Sequence, residues 1–210
     1  MKTTTHIKIW AALLLLAVII SGISPASRTV WFLELILVII AFIIILLIYK
    51  RFKFSKGAYA LIFVYLLLIT IGAHYTYSKV PWEGLKDVLG TQRNPYDRFA
   101  HFSFGLLLYY PLLEIFVRTT KLKHKFWMYF VPITIIAGFG GIYEILEWIT
   151  AVNVAPNTAQ AFLGMQGDIW DTQKDMLFNI LGGITTMIIV MVTKFFKKDD
   201  VTPDIREPRG

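Results

Sequence analysis

Six long apolar stretches divide the chain, and short polar segments separate each stretch from the next. They cover about 7–23, 29–49, 58–77, 97–117, 126–149 and 174–195. A helix needs about 20 residues to cross the hydrocarbon core of a bilayer, and an open strand edge would leave backbone groups unsatisfied there. The pattern therefore predicts an all-α, polytopic membrane protein. Its bundle of six transmembrane helices would occupy 1–196, with a charged cytoplasmic tail at 197–210.

The composition agrees with this pattern and excludes several kinds of site. Hydrophobic residues make up 56% of the 210 positions, above the roughly 45–50% of soluble proteins. The chain has no cysteine, which excludes disulfides, iron–sulfur clusters and thiolate metal sites. The net charge of +7 lies in segments that flank apolar stretches, which is typical of membrane proteins. The lipid bilayer is the predicted partner, no nucleic acid is expected, and the oligomeric state is left open.

The distribution of Lys and Arg predicts the orientation of the helices. If the N terminus is cytoplasmic, the inner segments hold fifteen of the 21 basic residues and the outer segments hold six. Positive charge favours the cytoplasmic side, so both termini are predicted to lie inside. The first stretch, followed by Ser24-Pro25-Ala26, also resembles a signal peptide. The proline beside the cleavage point favours an uncleaved first helix.

Polar residues concentrate at the predicted outer ends of four helices. In GDIWDTQKDMLFN, the spacing of Asp168, Asp171, Asp175 and Asn179 places them on one face of a continuous helix. A carboxylate at the bilayer centre costs about 2.5–3.5 kcal/mol, so a cation, a proton, an arginine or water must offset its charge. The other helices contribute His74, Asp97, His101, Glu144 and Glu147.

This set of imidazole and carboxylate groups favours a divalent metal such as zinc, manganese or magnesium. The predicted ligands are His74, Asp97, His101, Glu147, Asp171 and Asp175. The predicted catalytic groups are His101, Glu144, Glu147 and Asp175, oriented by Asn179. A bound metal would relieve repulsion between the acids and activate water. The leading hypothesis is hydrolysis of a lipid-linked or amphiphilic envelope substrate, although no fixed spacing such as HExxH identifies the metal.

Other interpretations stay open at this point. Asp168 and Asp97 also suit helix N-caps, His74 and His101 could be hydrogen-bonded core histidines, and Glu34 is predicted to be interfacial. For the whole set, one alternative is a proton-coupled transporter or flippase that uses the acids as a relay. Another is a non-catalytic envelope-assembly or stress protein, in which the polar residues only hold helices together.

Four segments carry a resemblance to a known family: HYTYSKVPW, RNPYDRFAHFSFG, YEILEW and GDIWDTQKDMLFNILGG. They are similar to the YjdF-type family of uncharacterised bacterial inner-membrane proteins, across essentially the whole chain. That resemblance implies an inner-membrane location and supplies no reaction. A weaker likeness to VanZ-like membrane proteins implies a role at the cell envelope. It involves Asp97-Arg98 with His101, Glu144 or Glu147, and Asp175, Asn179 and Gly182, with Arg98 standing where that pattern has Lys.

Overall fold

The computed structural model of the protein describes residues 3–120 and 124–193. Within these ranges it contains eight helices and no strand. The helices are α1 (Thr3–Ser21), α2 (Arg28–Ile48), α3 (Lys56–Tyr75), α4 (Glu83–Leu89), α5 (Tyr96–Thr119), α6 (Lys125–Val152), α7 (Pro156–Leu163) and α8 (Asp171–Thr193). The all-α prediction is confirmed, and the predicted tail at 197–210 lies outside the described residues.

The six long helices coincide with the six apolar stretches to within a few residues. Five of them, α2, α3, α5, α6 and α8, are long and apolar enough to cross a membrane. The apolar part of α1, Thr5–Ser21, is shorter. At 1.5 Å per residue it rises about 26 Å, against a hydrocarbon core of about 30 Å. The sixth crossing therefore stays a prediction.

Local signals explain where several helices begin and end. Ser27 and Ser55 cap α2 and α3, and each side chain accepts a hydrogen bond from the backbone N–H three residues later. The two short helices, α4 and α7, lie in the predicted outer loops, and each ends at a glycine with left-handed backbone, Gly90 and Gly164. A glycine adopts this conformation without steric cost.

Close packing of α5 against α8 sets the position of the polar residues. A Cβ atom at Gly105 would overlap the carbonyl oxygen of Asn179, and one at Gly182 would overlap that of Phe102. Small residues of this kind let two membrane helices approach backbone to backbone. The Thr186 hydroxyl also donates to the Leu106 carbonyl at 2.5 Å. These contacts hold α8 in one register against α5.

Candidate functional site

The segment that leads into α5 is tied to both neighbouring loops through Asn94, which is fully buried. Its side-chain amide donates to the Val80 carbonyl at 2.6 Å, and its side-chain oxygen accepts from the Tyr96 N–H at 3.0 Å. Its backbone N–H donates to the Gln166 side chain at 2.8 Å. The start of α5 is therefore held against the loop that precedes α8.

Two arginines connect the start of α5 to the start of α8. Arg93 donates to Asp97 Oδ2 at 2.7 Å and to the Met165 carbonyl at 2.9 Å, and it also forms an ion pair with Asp171. Arg98 pairs with Asp168 and lies 3.3 Å from Asp171 Oδ1. Arg93 was counted only among the six outer basic residues, so its role as a counter-ion was missed. Its place two residues before Pro95 carried no signal of that role.

A group of three side chains from three helices lies beside these ion pairs. His101 Nε2 of α5 is 3.7 Å from Glu144 Oε1 of α6, and Asp175 belongs to α8. One ligand atom from each of the three residues lies within 4.8 Å of the others. Glu144 Oε1 and Asp175 Oδ1 are buried and have no hydrogen-bond partner among the described residues. Because buried polar atoms are normally hydrogen-bonded, these two oxygens have unused capacity to accept.

A second group shares Asp175 with the first. Asp97, Asp171 and Asp175 also offer oxygens within 4.8 Å of one another. In contrast to the first group, Asp97 and Asp171 are already paired with the Arg93 guanidinium. The Arg93 guanidinium therefore already neutralises charge on two of the three acids of this second group.

Asn179 lies one helical turn beyond Asp175, in the interior of the bundle. Its side chain is only 1% exposed. Neither Nδ2 nor Oδ1 of the side-chain amide has a hydrogen-bond partner among the described residues. The amide interacts with the His101 ring. Gly140 of α6 leaves room for it, because a Cβ there would lie 2.5 Å from Asn179 Nδ2. The predicted orienting residue is therefore next to the imidazole.

Besides Asn179, two predicted site residues lie outside both groups. His74 Nδ1 is 2.7 Å from the Ser21 carbonyl, and its ring packs edge-on against Tyr75. These contacts fit the interpretation of a hydrogen-bonded core histidine. His74 lies near the end of α3 and contacts the end of α1. Glu147 lies one turn beyond Glu144 on α6 and interacts with Glu144 and Tyr143.

The spacing predicted that Asp168 lies on the helix, but it lies before the helix begins. Helix α8 begins at Asp171, and Asp168 lies in the preceding turn, where Oδ1 accepts from the Trp170 N–H at 3.1 Å. That local hydrogen bond favours a turn over a helix for the segment. Lys174 at 2.7 Å and the Arg98 guanidinium hold the pKa of the Asp168 carboxyl well below its usual range. The continuous row of acids therefore starts at Asp171.

Glu34 is a polar residue that sequence reasoning set aside as interfacial. Its side chain is 1% exposed and is buried within the bundle from α2. The Tyr143 hydroxyl of α6 lies 3.5 Å from Glu34 Oε2, and Tyr77 also interacts with this carboxyl group. The signal was available, since an acid inside a long apolar run normally faces the interior of a bundle.

These features define a multi-pass helical membrane protein with a polar cluster where α5 and α8 begin and α6 ends. Residues 6–194 match the family described as predicted membrane protein (DUF2238), and the chain belongs to that family. It is 36% identical over 182 residues to the inner membrane protein YjdF of Escherichia coli (strain K12), which covers 86% of each chain. No solved structure matches.

The two comparisons confirm the YjdF-type resemblance and the predicted multi-pass inner-membrane location. They do not confirm the weaker likeness to VanZ-like proteins. Neither the family description nor the name of the relative states a reaction.

Proposed function

We propose that His101, Glu144 and Asp175 hold a divalent metal ion, and that this site hydrolyses an amphiphilic substrate of the cell envelope. The observation that carries the proposal is a pair of buried oxygens beside the His101 ring, Glu144 Oε1 and Asp175 Oδ1, which have no hydrogen-bond partner in the part of the chain that the structure describes. Leaving such groups unsatisfied costs about 1–3 kcal/mol each, and more when they are charged. A cation bound between them would remove that cost.

The contrast between the two groups supports this choice of position. Arg93 already neutralises Asp97 and Asp171, whereas the Arg98 Nε atom is 3.8 Å from Asp175 Oδ1, too far for a hydrogen bond. The pairs made by Arg93 and Arg98 favour a structural role for Asp97, Asp168 and Asp171. The proposed metal ligands are then His101, Glu144 and Asp175. His101 and Asp175 belong to the six predicted ligands, whereas Glu144 was predicted as a catalytic group.

Nitrogen and oxygen ligands of this kind suit zinc, manganese or magnesium. When bound, such a metal supplies a Lewis acid and lowers the pKa of water to make a nucleophile. Asn179 orients the His101 ring, and Glu147 is the acid–base group next to the ligand Glu144. The surrounding apolar helices exclude bulk water, which strengthens electrostatic interactions in the site.

We also propose six crossings, with both termini on the cytoplasmic side. Helix α1 packs against α3, which supports its membership of the bundle, and a membrane can thin locally around a short apolar span. With that orientation, the polar cluster opens toward the periplasm, where envelope substrates are accessible.

Metal analysis of protein purified in mild detergent without chelators tests the site. We expect near-stoichiometric metal in the natural protein and loss of metal in a His101→Ala/Asp175→Asn double variant that retains its helical content. Asp168→Asn is the matched control, because it removes a carboxylate that lies outside both groups, so it should keep the metal. Equal metal content in all three proteins, or none in the natural protein after incubation with each candidate metal, would contradict the proposal.

If the double variant loses its fold as well as its metal, the single His101→Gln variant replaces it. A folded His101→Gln protein with reduced metal content supports a metal centre. The same protein with unchanged metal content and reduced thermal stability would favour the alternative, in which the cluster only holds helices together.

A further inference from the structure

A cavity of about 400 Å³ lies between α2, α3, α5 and α6. Its walls are the apolar side chains of these helices, such as Val38, Leu66, Leu108 and Leu146. Binding sites for small molecules have this size and this composition, with a few polar groups that fix the orientation of the ligand. An apolar cavity does not hold ordered water, because water needs polar partners. Its occupant must therefore be apolar along most of its length.

One end of the cavity reaches the polar cluster. His101, Tyr143 and Asn179 line that end, and Ile48, Phe54 and Ile115 line the other. From His101 to Ile115 helix α5 rises about 21 Å, well over half of a hydrocarbon core of about 30 Å. The cavity therefore runs along the membrane normal and begins at the proposed metal ligand.

The cavity opens sideways through a gap between α2 and α6. Among the described residues the backbones of these two helices do not approach each other closely, and the Tyr143 hydroxyl of α6 reaches toward Glu34 of α2 at 3.5 Å. On either side of the gap, Ile44 and Phe139 line the cavity and are each about half exposed. The gap faces the region that lipid chains occupy around a membrane protein.

We propose that one hydrocarbon chain of a membrane amphiphile passes between α2 and α6 and lies in this cavity, with its polar group against His101. A peptide segment would not suit the same space. Its backbone N–H and C=O groups would require partners. Apart from the end with His101, Tyr143 and Asn179, the only polar side-chain groups in the described lining are the hydroxyls of Tyr65 and Tyr77. A hydrocarbon chain makes no such demand.

This inference rests on the proposed function only for the chemistry at the polar end. It identifies the substrate class of that site as an amphiphile whose scissile ester or phosphate lies directly beside a long chain. Occupation of the cavity by the chain requires no metal. The two proposals can therefore fail separately.

The test uses palmitoyl lysophosphatidylglycerol with a photoactivatable group in its chain, added to the full-length protein in lipid nanodiscs. After illumination, mass spectrometry of peptides locates the labelled residues. We expect labels on inner lining residues such as Leu108 and Ile115. Labels confined to outward-facing residues such as Leu13 and Val192 would overturn the inference.

Two variants in which tryptophan replaces an alanine sharpen the test. Ala41→Trp fills part of the cavity and should reduce labelling at Leu108 severalfold, whereas Ala12→Trp places the same side chain on an exposed face of α1 and should not. Unchanged labelling in Ala41→Trp would refute the inference. If Ala41→Trp does not fold, the label positions in the natural protein decide the question.

The Asp175→Asn variant, which leaves the His101 ring in place at the polar end of the cavity, distinguishes this inference from the proposed function. It should keep the chain label at Leu108 even though its metal is lost. A labelled cavity in a protein that binds no metal would leave the lipid site standing and remove the metal centre. A metal-bound protein without the label at Leu108 would leave the metal centre standing and remove the lipid site.

Discussion

Replacement of Gly182 by alanine should separate α8 from α5 and lower the stability of the protein. The added Cβ would lie 2.8 Å from the Leu106 backbone nitrogen and still nearer to the Phe102 carbonyl oxygen. Both neighbours are backbone atoms of a packed helix, so neither can move aside by a change of rotamer. Ordinary contact begins at about 3.4 Å, and the helices must therefore separate by more than about 0.6 Å at this point.

The size of the effect follows from that separation. A gap of about 0.5–1 Å forfeits a quarter to a half of the dispersion energy of each contact across it, and α5 with α8 is the most extensively packed helix pair. Overpacking of this kind costs about 1–3 kcal/mol, occasionally more. Since every 1.4 kcal/mol is tenfold, the unfolded fraction should rise by about 5-fold to 150-fold.

Equilibrium unfolding in mixed detergent micelles measures this change. Gly138→Ala is the matched control, because outside the backbone of its own helix no atom of the described residues lies within 4 Å of a Cβ at that position. Alanine is favoured over glycine within a helix by about 1 kcal/mol, so the control should be equally stable or slightly more stable. If Gly182→Ala unfolds at the same detergent composition as the natural protein, the close packing of α5 and α8 does not limit stability.

Two further predictions concern topology and pH. The chain has no cysteine of its own, so single-cysteine variants can report the topology. The cysteine of Lys79→Cys should react with an impermeant maleimide in spheroplasts, and that of Lys53→Cys should react only after permeabilisation. The reverse result would invert the proposed orientation. Because Lys174 and Arg98 lower the pKa of Asp168, its contribution to stability is complete above the ordinary value of 3.8 and is lost as the pH falls further. The thermal midpoint of the natural protein should therefore fall more than that of Asp168→Asn between about pH 5 and pH 2, and parallel curves would contradict the role of this ion pair.

The six long helices and their approximate bounds follow from the sequence by itself. Each apolar stretch lowers its own transfer free energy by entering the bilayer, and its backbone must then form a helix. This condition acts on each segment separately, so it can be evaluated without knowing the neighbours. The same local logic placed Asp97 and His101 four residues apart on one face, and it identified Glu144, Asp175 and Asn179 as polar residues near helix ends.

The tertiary structure alone decides which of these polar groups meet. The rotation and register of α5 against α8, set by backbone contact at Gly105 and Gly182, bring Asp175 beside His101. The position of Arg93 decides that Asp97 and Asp171 are neutralised while Asp175 keeps an open oxygen. Pairings of this kind depend on distances between helices, and no spacing along one helix contains them.

Asp168 and Glu34 illustrate the same division. Asp168 was assigned to the helix by its spacing, but its own side chain closes a turn with the Trp170 N–H before the helix begins. Glu34 was expected at the membrane interface, and only the packing of α2 shows that it is buried facing Tyr143. The sequence by itself determined how many apolar helices form and which polar residues they carry. Helix rotation and loop contacts decided which of those residues share a site, because they depend on the three-dimensional packing of several segments at once.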